Sequence, residues 1–136
     1  MTPQISHLKA REIIHLHDRA IQKYGGLAGI ASPGKIEALI ARVKNHSLYE
    51  GLEDLHSLAA MYCIAIARGH AFVDGNKRTA LNASVLFLLR NGIRLHSVRG
   101  LDDIVVKVAT GELGWTELTE VFRTLPQDSI SVCGNA

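Results

Sequence analysis

Ten consecutive residues, His70-Ala71-Phe72-Val73-Asp74-Gly75-Asn76-Lys77-Arg78-Thr79, lie between two apolar stretches, Leu58 to Ala67 and Ala80 to Leu89. No other feature constrains the fold of this chain as much. Both stretches must be buried, and only Asn82 and Ser84 interrupt the second. A histidine, a carboxylate, an amide and two cations cannot follow them into a core without partners. The segment is therefore expected to be a loop held between rigid, buried flanks, the kind of place where binding and chemistry concentrate.

Helical periodicity dominates the rest. Residues from about 7 to 24 place Leu8, Ile14, Ala20, Ile21 and Tyr24 near one stripe, and Gly25-Gly26 end that helix. Ser32-Pro33 reads as a helix start, followed by Ile36, Leu39, Ile40 and Val43 at spacings of three and four. Asp54 can cap a third helix running to Arg68, apolar almost all round from Leu58 and so expected at the centre. A fourth opens at Asn76 or Lys77 and runs to Arg90, with Asn91-Gly92 as its stop. Ile93 to His96 reads as a short extended piece, and two shorter helices span 101–109 and 116–125. The fold class predicted is all-α, a bundle of about six helices with the loop between two central buried ones. One domain covers 1–125, and a small polar tail, 126–136, is expected to fray.

Composition sets bounds. With 136 residues, 47% hydrophobic and 21% charged, the chain is globular and long enough to bury a core. A formal charge of +2 is too small to argue for direct nucleic-acid binding. The N-terminus lacks an apolar signal core, and the longest apolar run falls short of the ~18 residues of a membrane span, so a cytoplasmic, membrane-free protein is expected. Cys63 reads as a small core residue and Cys133 as an incidental thiol.

The loop suits a nucleotide. The first N–H groups of the Asn76 helix lack intrahelical partners, and the helix dipole adds roughly half a positive charge there. Gly75 allows close backbone approach, so a phosphate is the natural guest. Lys77 and Arg78 add two charges where the dipole disfavours them, which calls for something negative. Asn82 lies four residues beyond Arg78, on the same face. Asp74 is the one acid in this basic stretch, and Mg²⁺ commonly takes one or two carboxylates plus substrate phosphates. His70 suits a proton acceptor near neutral pH. Arg68, two residues before it, either reaches phosphate or forms a surface ion pair. Each residue alone has an ordinary explanation: a structural histidine, an Asp-Gly-Asn turn, solvated cations. Their combination supplies a base, a metal ligand and a phosphate clamp, the parts that phosphoryl or nucleotidyl transfer needs.

These residues resemble the motif of the Fic/Doc superfamily, His-Pro-Phe-x-Asp/Glu-Gly-Asn-Gly-Arg. The match runs through His70, Phe72, Asp74, Gly75, Asn76 and Arg78. Ala71 stands where proline is usual, and Lys77 replaces the second glycine. Both departures look like the Doc (death on curing) branch, whose motif ends Asn-Lys-Arg-Thr-Ala-Leu-Asn, as at Asn76 to Asn82. Leu16-His17-Asp18, Tyr24-Gly25-Gly26, Arg68-Gly69-His70, Arg90-Asn91-Gly92 and Ala109-Thr110-Gly111-Glu112 also look Doc-like.

The resemblance implies a Fic fold and the toxin of a toxin–antitoxin pair, silenced by an antitoxin whose helical tail lies in a surface groove. It implies ATP and Mg²⁺, with His70 as base, Asp74 as metal ligand, and Gly75, Asn76, Lys77 and Arg78 at the phosphates. Arg68 and Asn82 are further candidates for nucleotide binding, and Phe72 is the anchor of the loop. The lysine at 77 implies that the γ-phosphate, and not AMP, goes to a threonine hydroxyl of a translation factor, elongation factor Tu in the family, arresting translation. AMP transfer of the ordinary Fic kind is the alternative. The self-inhibitory pattern Ser/Thr-x-x-x-Glu-Gly/Asn begins at Thr116 to Glu120 but fails at Val121, so inhibition from within the chain is not expected.

Other readings have less behind them. Arg90-Asn91 and His96 match the string of a HEPN-type ribonuclease toxin, but Asn91-Gly92 looks like a helix end, where that motif belongs on a helix. A non-catalytic, antitoxin-binding module should have lost His70 or Asp74 first. His15 and His17, two apart on a helix, do not share a face, and the chain has neither a zinc spacing nor a Walker-type run.

Overall fold

The structure, a computed structural model, describes residues 4–131 and, of Tyr49, the backbone alone. Helix α1 spans Ala10–Tyr24, α2 Lys35–Tyr49, α3 Leu55–Gly69 and α4 Asn76–Arg90. A short strand β1 (Ile93–Leu95), helices α5 (Leu101–Thr110) and α6 (Trp115–Thr124), and a last strand β2 (Gln127–Ser129) follow. The all-α expectation holds, with a small two-stranded antiparallel sheet added.

Local chemistry sets the boundaries. Glu12 accepts from the Lys9 N–H at 2.8 Å and opens α1. Asp54 caps α3, accepting from His56 N–H at 3.1 Å and the Ser57 hydroxyl at 3.0 Å. Helix α2 begins at Lys35, two residues later than the Ser-Pro start, because Ser32 to Gly34 form a turn closed by the Lys35 N–H on the Ser32 carbonyl at 3.1 Å.

Helix α3 is the centre. Leu58, Ala59, Ala60, Tyr62, Cys63, Ile66 and Ala67 are all buried, and α2, α4, α5 and α6 pack around it. Burial raises the Cys63 thiol to about 12, so it behaves as a small hydrophobe. Helix α4 lies along α3, and the Ser84 hydroxyl, bonded to the Ala80 carbonyl at 2.8 Å, also reaches the Ala59 carbonyl at 3.3 Å. Helix α1 crosses α4 with Ile13, His17 and Ala20 inward. Arg90 at the end of α4 pairs with Glu12, its Nη1 donating at 2.7 Å.

Two expectations are corrected here. Tyr24, on the apolar stripe of α1 by spacing, is 54% exposed. The inward row runs through His17 instead. The tail after Pro126 was expected to fray, but residues 127–129 pair antiparallel with β1, Arg94 opposite Asp128. Strand β1 leaves main-chain groups that need partners. Arg94 holds Asp128 at 2.8 Å, and Gln127 donates to the Phe122 and Leu125 carbonyls at 2.8 and 2.7 Å. Residues 132–136, with Cys133, lie outside the described residues.

The residues of the ribonuclease string are each held by other partners. Arg90 is paired with Glu12, Asn91 ends α4 and bonds both main-chain groups of Ser6, and His96 faces Asp128 at 3.2 Å. Among the described residues, no helix is long and apolar enough to cross a membrane.

The cap of α3 yields a stability prediction. Burial alone would raise the Asp54 carboxyl, but Arg123, Ser57 and His56 outweigh it and hold it below its ordinary value. Its contribution is therefore complete above the unfolded pKa and is lost as pH falls through the folded one. Asp54→Ala is expected to cost about 1 kcal/mol, or about 3–5 °C in melting temperature at neutral pH. The gap to wild type should close as pH falls below about 4. Melting curves from pH 7 to 3 check this; a gap independent of pH contradicts it.

Candidate active site

The chain turns sharply where α3 ends. His70 sits at φ 52°, ψ 40°, left-handed, and is the one described non-glycine residue with positive φ. That conformation costs roughly 1–2 kcal/mol for a residue with a Cβ. It leaves the imidazole exposed while the next two residues, Ala71 and Phe72, go into the core at 1% and 2% exposure. The His70 ring makes no hydrogen bond among the described residues.

Three braces fix the loop. The segment before α2 pairs with it: Ala31 N–H donates to the Ala71 carbonyl at 2.8 Å, and Val73 N–H donates to the Gly29 carbonyl at 3.1 Å. Lys35 Nζ donates to the Gly69 carbonyl at 2.9 Å, covering the end of α3. Asn76 closes the loop on itself, its oxygen accepting from Phe72 N–H at 3.2 Å and its Nδ2 donating to the Phe72 carbonyl at 2.9 Å.

Helix α1 supports the other side. The buried His17 ring stacks on Phe72 with centroids 3.8 Å apart, and its Nε2 lies 2.7 Å from the Asp74 carbonyl oxygen. Asp74 itself is exposed. Its Oδ2 accepts from Leu27 N–H at 3.1 Å and its Oδ1 from Gly75 N–H at 2.8 Å. The Leu27 N–H first, then the Gly75 N–H, hold this carboxyl below its ordinary value, with Lys77 nearby adding to the effect. Gly26 allows this approach: at φ 118° it is left-handed, and a Cβ there would stand 2.7 Å from Asp74 Oδ2.

Helix α4 starts at Asn76, with Gly75 at φ 76° before it. A cleft of about 320 Å³ opens there. Asp74, Gly75, Asn76, Lys77 and Arg78 line one wall, and Asp102, Val105 and Val106 of α5 line the other. The Arg78 guanidinium lies 3.6 Å over the Tyr24 ring, a cation–π contact that fixes its position at the cleft edge. Larger open clefts of about 700 and 560 Å³ occur elsewhere, but neither is lined by loop residues. Side-chain chemistry, not volume, locates the site.

The sequence candidates thus divide. Asp74, Gly75, Asn76, Lys77 and Arg78 share the cleft, and His70 stands exposed at the opposite end of the same short loop. Two others are not brought to it. Arg68 donates from Nε to the Val108 carbonyl at 2.8 Å and from Nη2 to the Leu113 carbonyl at 3.0 Å, tying α3 to the end of α5. Asn82 lines a separate groove with His15, Arg19, Lys23 and Tyr24 of α1. The braces His17, Tyr24, Gly26 and Lys35, and the facing Asp102, were missed as parts of the site. Only the Doc-like strings Leu16-His17-Asp18 and Tyr24-Gly25-Gly26 marked any of them.

Paired substitutions at Gly25 and Gly26 check how Asp74 is held. Gly25 is also left-handed, at φ 85°, but a Cβ there meets nothing within 4 Å. Gly25→Ala should show backbone strain alone, about 1–3 kcal/mol. Gly26→Ala should unfold at lower denaturant than Gly25→Ala, and the Asp74 carboxyl, followed by NMR titration, should move back up toward its ordinary value. Equal stabilities with an unmoved Asp74 titration contradict the contact.

The sequence matches the model of the Fic/DOC family over residues 7–88. It is 45% identical over 119 residues to the "Protein kinase doc" of Escherichia phage P1, covering 88% of this chain and 94% of that one. It is 36% identical over 92 residues to the "Toxin Doc" of Mycolicibacterium smegmatis, covering 64% of this chain and 70% of that one. A loop braced in this way, at the start of a helix in an all-α fold, and relatives of this similarity agree: the chain belongs to the Fic/DOC family and is of its Doc toxin type.

Proposed function

We propose that this chain is a Doc-like toxin that transfers the γ-phosphate of ATP to a threonine hydroxyl of a translation factor and is neutralised by an antitoxin. One observation carries the reading: an exposed histidine, an ionised aspartate and the N-terminus of α4 with Lys77 and Arg78 belong to one short, braced loop. The name of the phage P1 relative, a protein kinase, points the same way.

The residues fit the nucleotide and its metal. Asp74 is a single carboxylate, pinned by two N–H donors and kept ionised, which suits Mg²⁺ held through one protein carboxylate and substrate phosphates. Mg²⁺, when bound, neutralises charge on the phosphates. The free N–H groups of α4 donate to phosphate oxygens, and Gly75, without a side chain, lets them approach. Lys77 adds a point charge where a glycine would leave room, and Arg78, held by Tyr24, adds a planar one.

The chemistry follows from those positions. The threonine oxygen attacks the γ-phosphorus, its proton passes to a ring nitrogen of His70, and the bond to the bridging oxygen of ADP breaks. Elongation factor Tu is the proposed target by family resemblance, and such a target sets the action in the cytoplasm. A relative named Toxin Doc supports a paired antitoxin, whose helical tail would occupy a surface groove.

Incubation with a purified translation factor, Mg-ATP and label at either the α or the γ position tests this. The expected result is γ label and the mass of one phosphate on a threonine. His70→Ala should slow transfer by about 10²–10⁴-fold, and Asp74→Asn should remove most of its Mg²⁺ dependence. Label arriving only from the α position makes the chain an AMP transferase and overturns the kinase reading.

A further inference from the structure

The inward row of α1 carries a residue that packing alone does not require. Ile13 and Ala20 fill their positions with apolar side chains, and His17 between them is 1% exposed. An aliphatic residue would fill that space without burying an imidazole. The ring lies nearly parallel to Phe72, with an interplanar angle of 6°. Nδ1 faces Asp18 at 3.5 Å, too far for a strong hydrogen bond. The short bond is at Nε2, and it ends on the Asp74 carbonyl. A carbonyl oxygen only accepts, so the proton belongs on Nε2.

The peptide between Asp74 and Gly75 is thereby held at both ends. Its C=O accepts from His17, and its N–H donates to the carboxylate of Asp74 itself. The unit is planar, so neither end can turn without the other. Gly75 packs on the same ring, since a Cβ there would lie 3.5 Å from Cδ2 of His17.

We propose that His17 is a positioning residue of the active loop: by fixing the Asp74–Gly75 peptide plane it aims the Asp74 carboxylate and the first amides of α4. The consequence for catalysis rests on the phosphoryl-transfer reading, while the geometry stands on its own.

Two variants separate the parts of the side chain. His17→Phe keeps the stack on Phe72 and removes the donor. His17→Gln removes the stack and keeps an N–H donor of similar reach. Each is compared with wild type for melting temperature, for kcat and KM in γ-label transfer, and for ATP affinity by calorimetry with and without Mg²⁺. Misplacing reacting groups by about 1 Å costs on the order of 100-fold. His17→Phe should therefore lose about that much in kcat, and the Mg²⁺-dependent part of its ATP affinity should be lost with it, because the carboxylate and the amides are both misaimed. His17→Gln should recover to within about tenfold of wild type. Long-range ¹⁵N spectra of wild type should show the Nε2–H tautomer at His17.

A folded His17→Phe with wild-type kcat overturns the proposal. So does a Gln variant no better than the Phe variant, or an Nδ1–H tautomer. If the Phe variant does not fold, the Gln variant and the tautomer decide. If wild type transfers no phosphate, the kinase reading alone fails. The Mg²⁺-dependent part of ATP affinity then decides on His17: lost in Phe and kept in Gln upholds it, unchanged in Phe overturns it.

Discussion

Helices α3 and α4 meet through small side chains. Ala59, Ala60, Cys63 and Ala67 on one and Ala80, Ala83 and Ser84 on the other are buried, and a hydroxyl on α4 bonds a carbonyl on α3. Side chains at a helix contact set the axial separation, about 8–10 Å, and small ones let the axes approach. Only residues 70–75 are left to reverse the chain between them. That reversal has left-handed backbone at both ends, at His70 (φ 52°) and Gly75 (φ 76°). Glycine adopts it without penalty; histidine does not. The tight helix pair thus imposes strain on the residue whose side chain is left free in solvent.

Helix α1 and the segment that follows it supply what so short a loop cannot provide for itself. His17 and Leu27 N–H reach it from behind, Gly29 and Ala31 pair with it, and Asn76 bonds across it. Nearly all these bonds end on main chain. They fix where the backbone runs while leaving the His70 imidazole and the Lys77 ammonium uncommitted. A loop braced in this way stays ordered without committing these side chains, which the proposed chemistry would need.

The core and the loop were legible because burial and polarity alternate so sharply there. An apolar helix, a polar decapeptide and a second apolar helix fix α3, the loop and α4 almost to the residue. Asp54 marked its helix start because its carboxylate does bond the free N–H of His56. What could not be read were partners distant in sequence. His17 occupies a core position but is polar, so it interrupts the apolar stripe that it belongs to, and Tyr24, at the same spacing, stands in for it by periodicity. Tyr24 is amphipathic, and nothing local says that its ring serves Arg78, 54 positions away (78 minus 24). Arg68 looked like a phosphate ligand because it lies beside His70 in sequence. At the last turn of α3 it instead faces the carbonyls at the end of α5, a common role for a cation. The short strand β2 was invisible because Gln127, Asp128 and Ser129 carry no strand pattern; β1 and side-chain bonds define it.

The charges around the cleft complete the physical picture. Lys77 and Arg78 occupy the first turn of α4, where the helix end is already positive and cations are locally unfavourable. The π face of Tyr24 offsets part of the Arg78 charge. Asp74 lies near enough to Lys77 to offset part of its charge. Asp102 faces them from α5 across the opening, with Val105 and Val106 beside it. On the proposed reading, a triphosphate supplies the remaining negative charge, and its metal is held by the one carboxylate that is already aimed. On that reading a polyanion balances the turn, and the electrostatic imbalance that weakens it in isolation is what such a ligand would bind to.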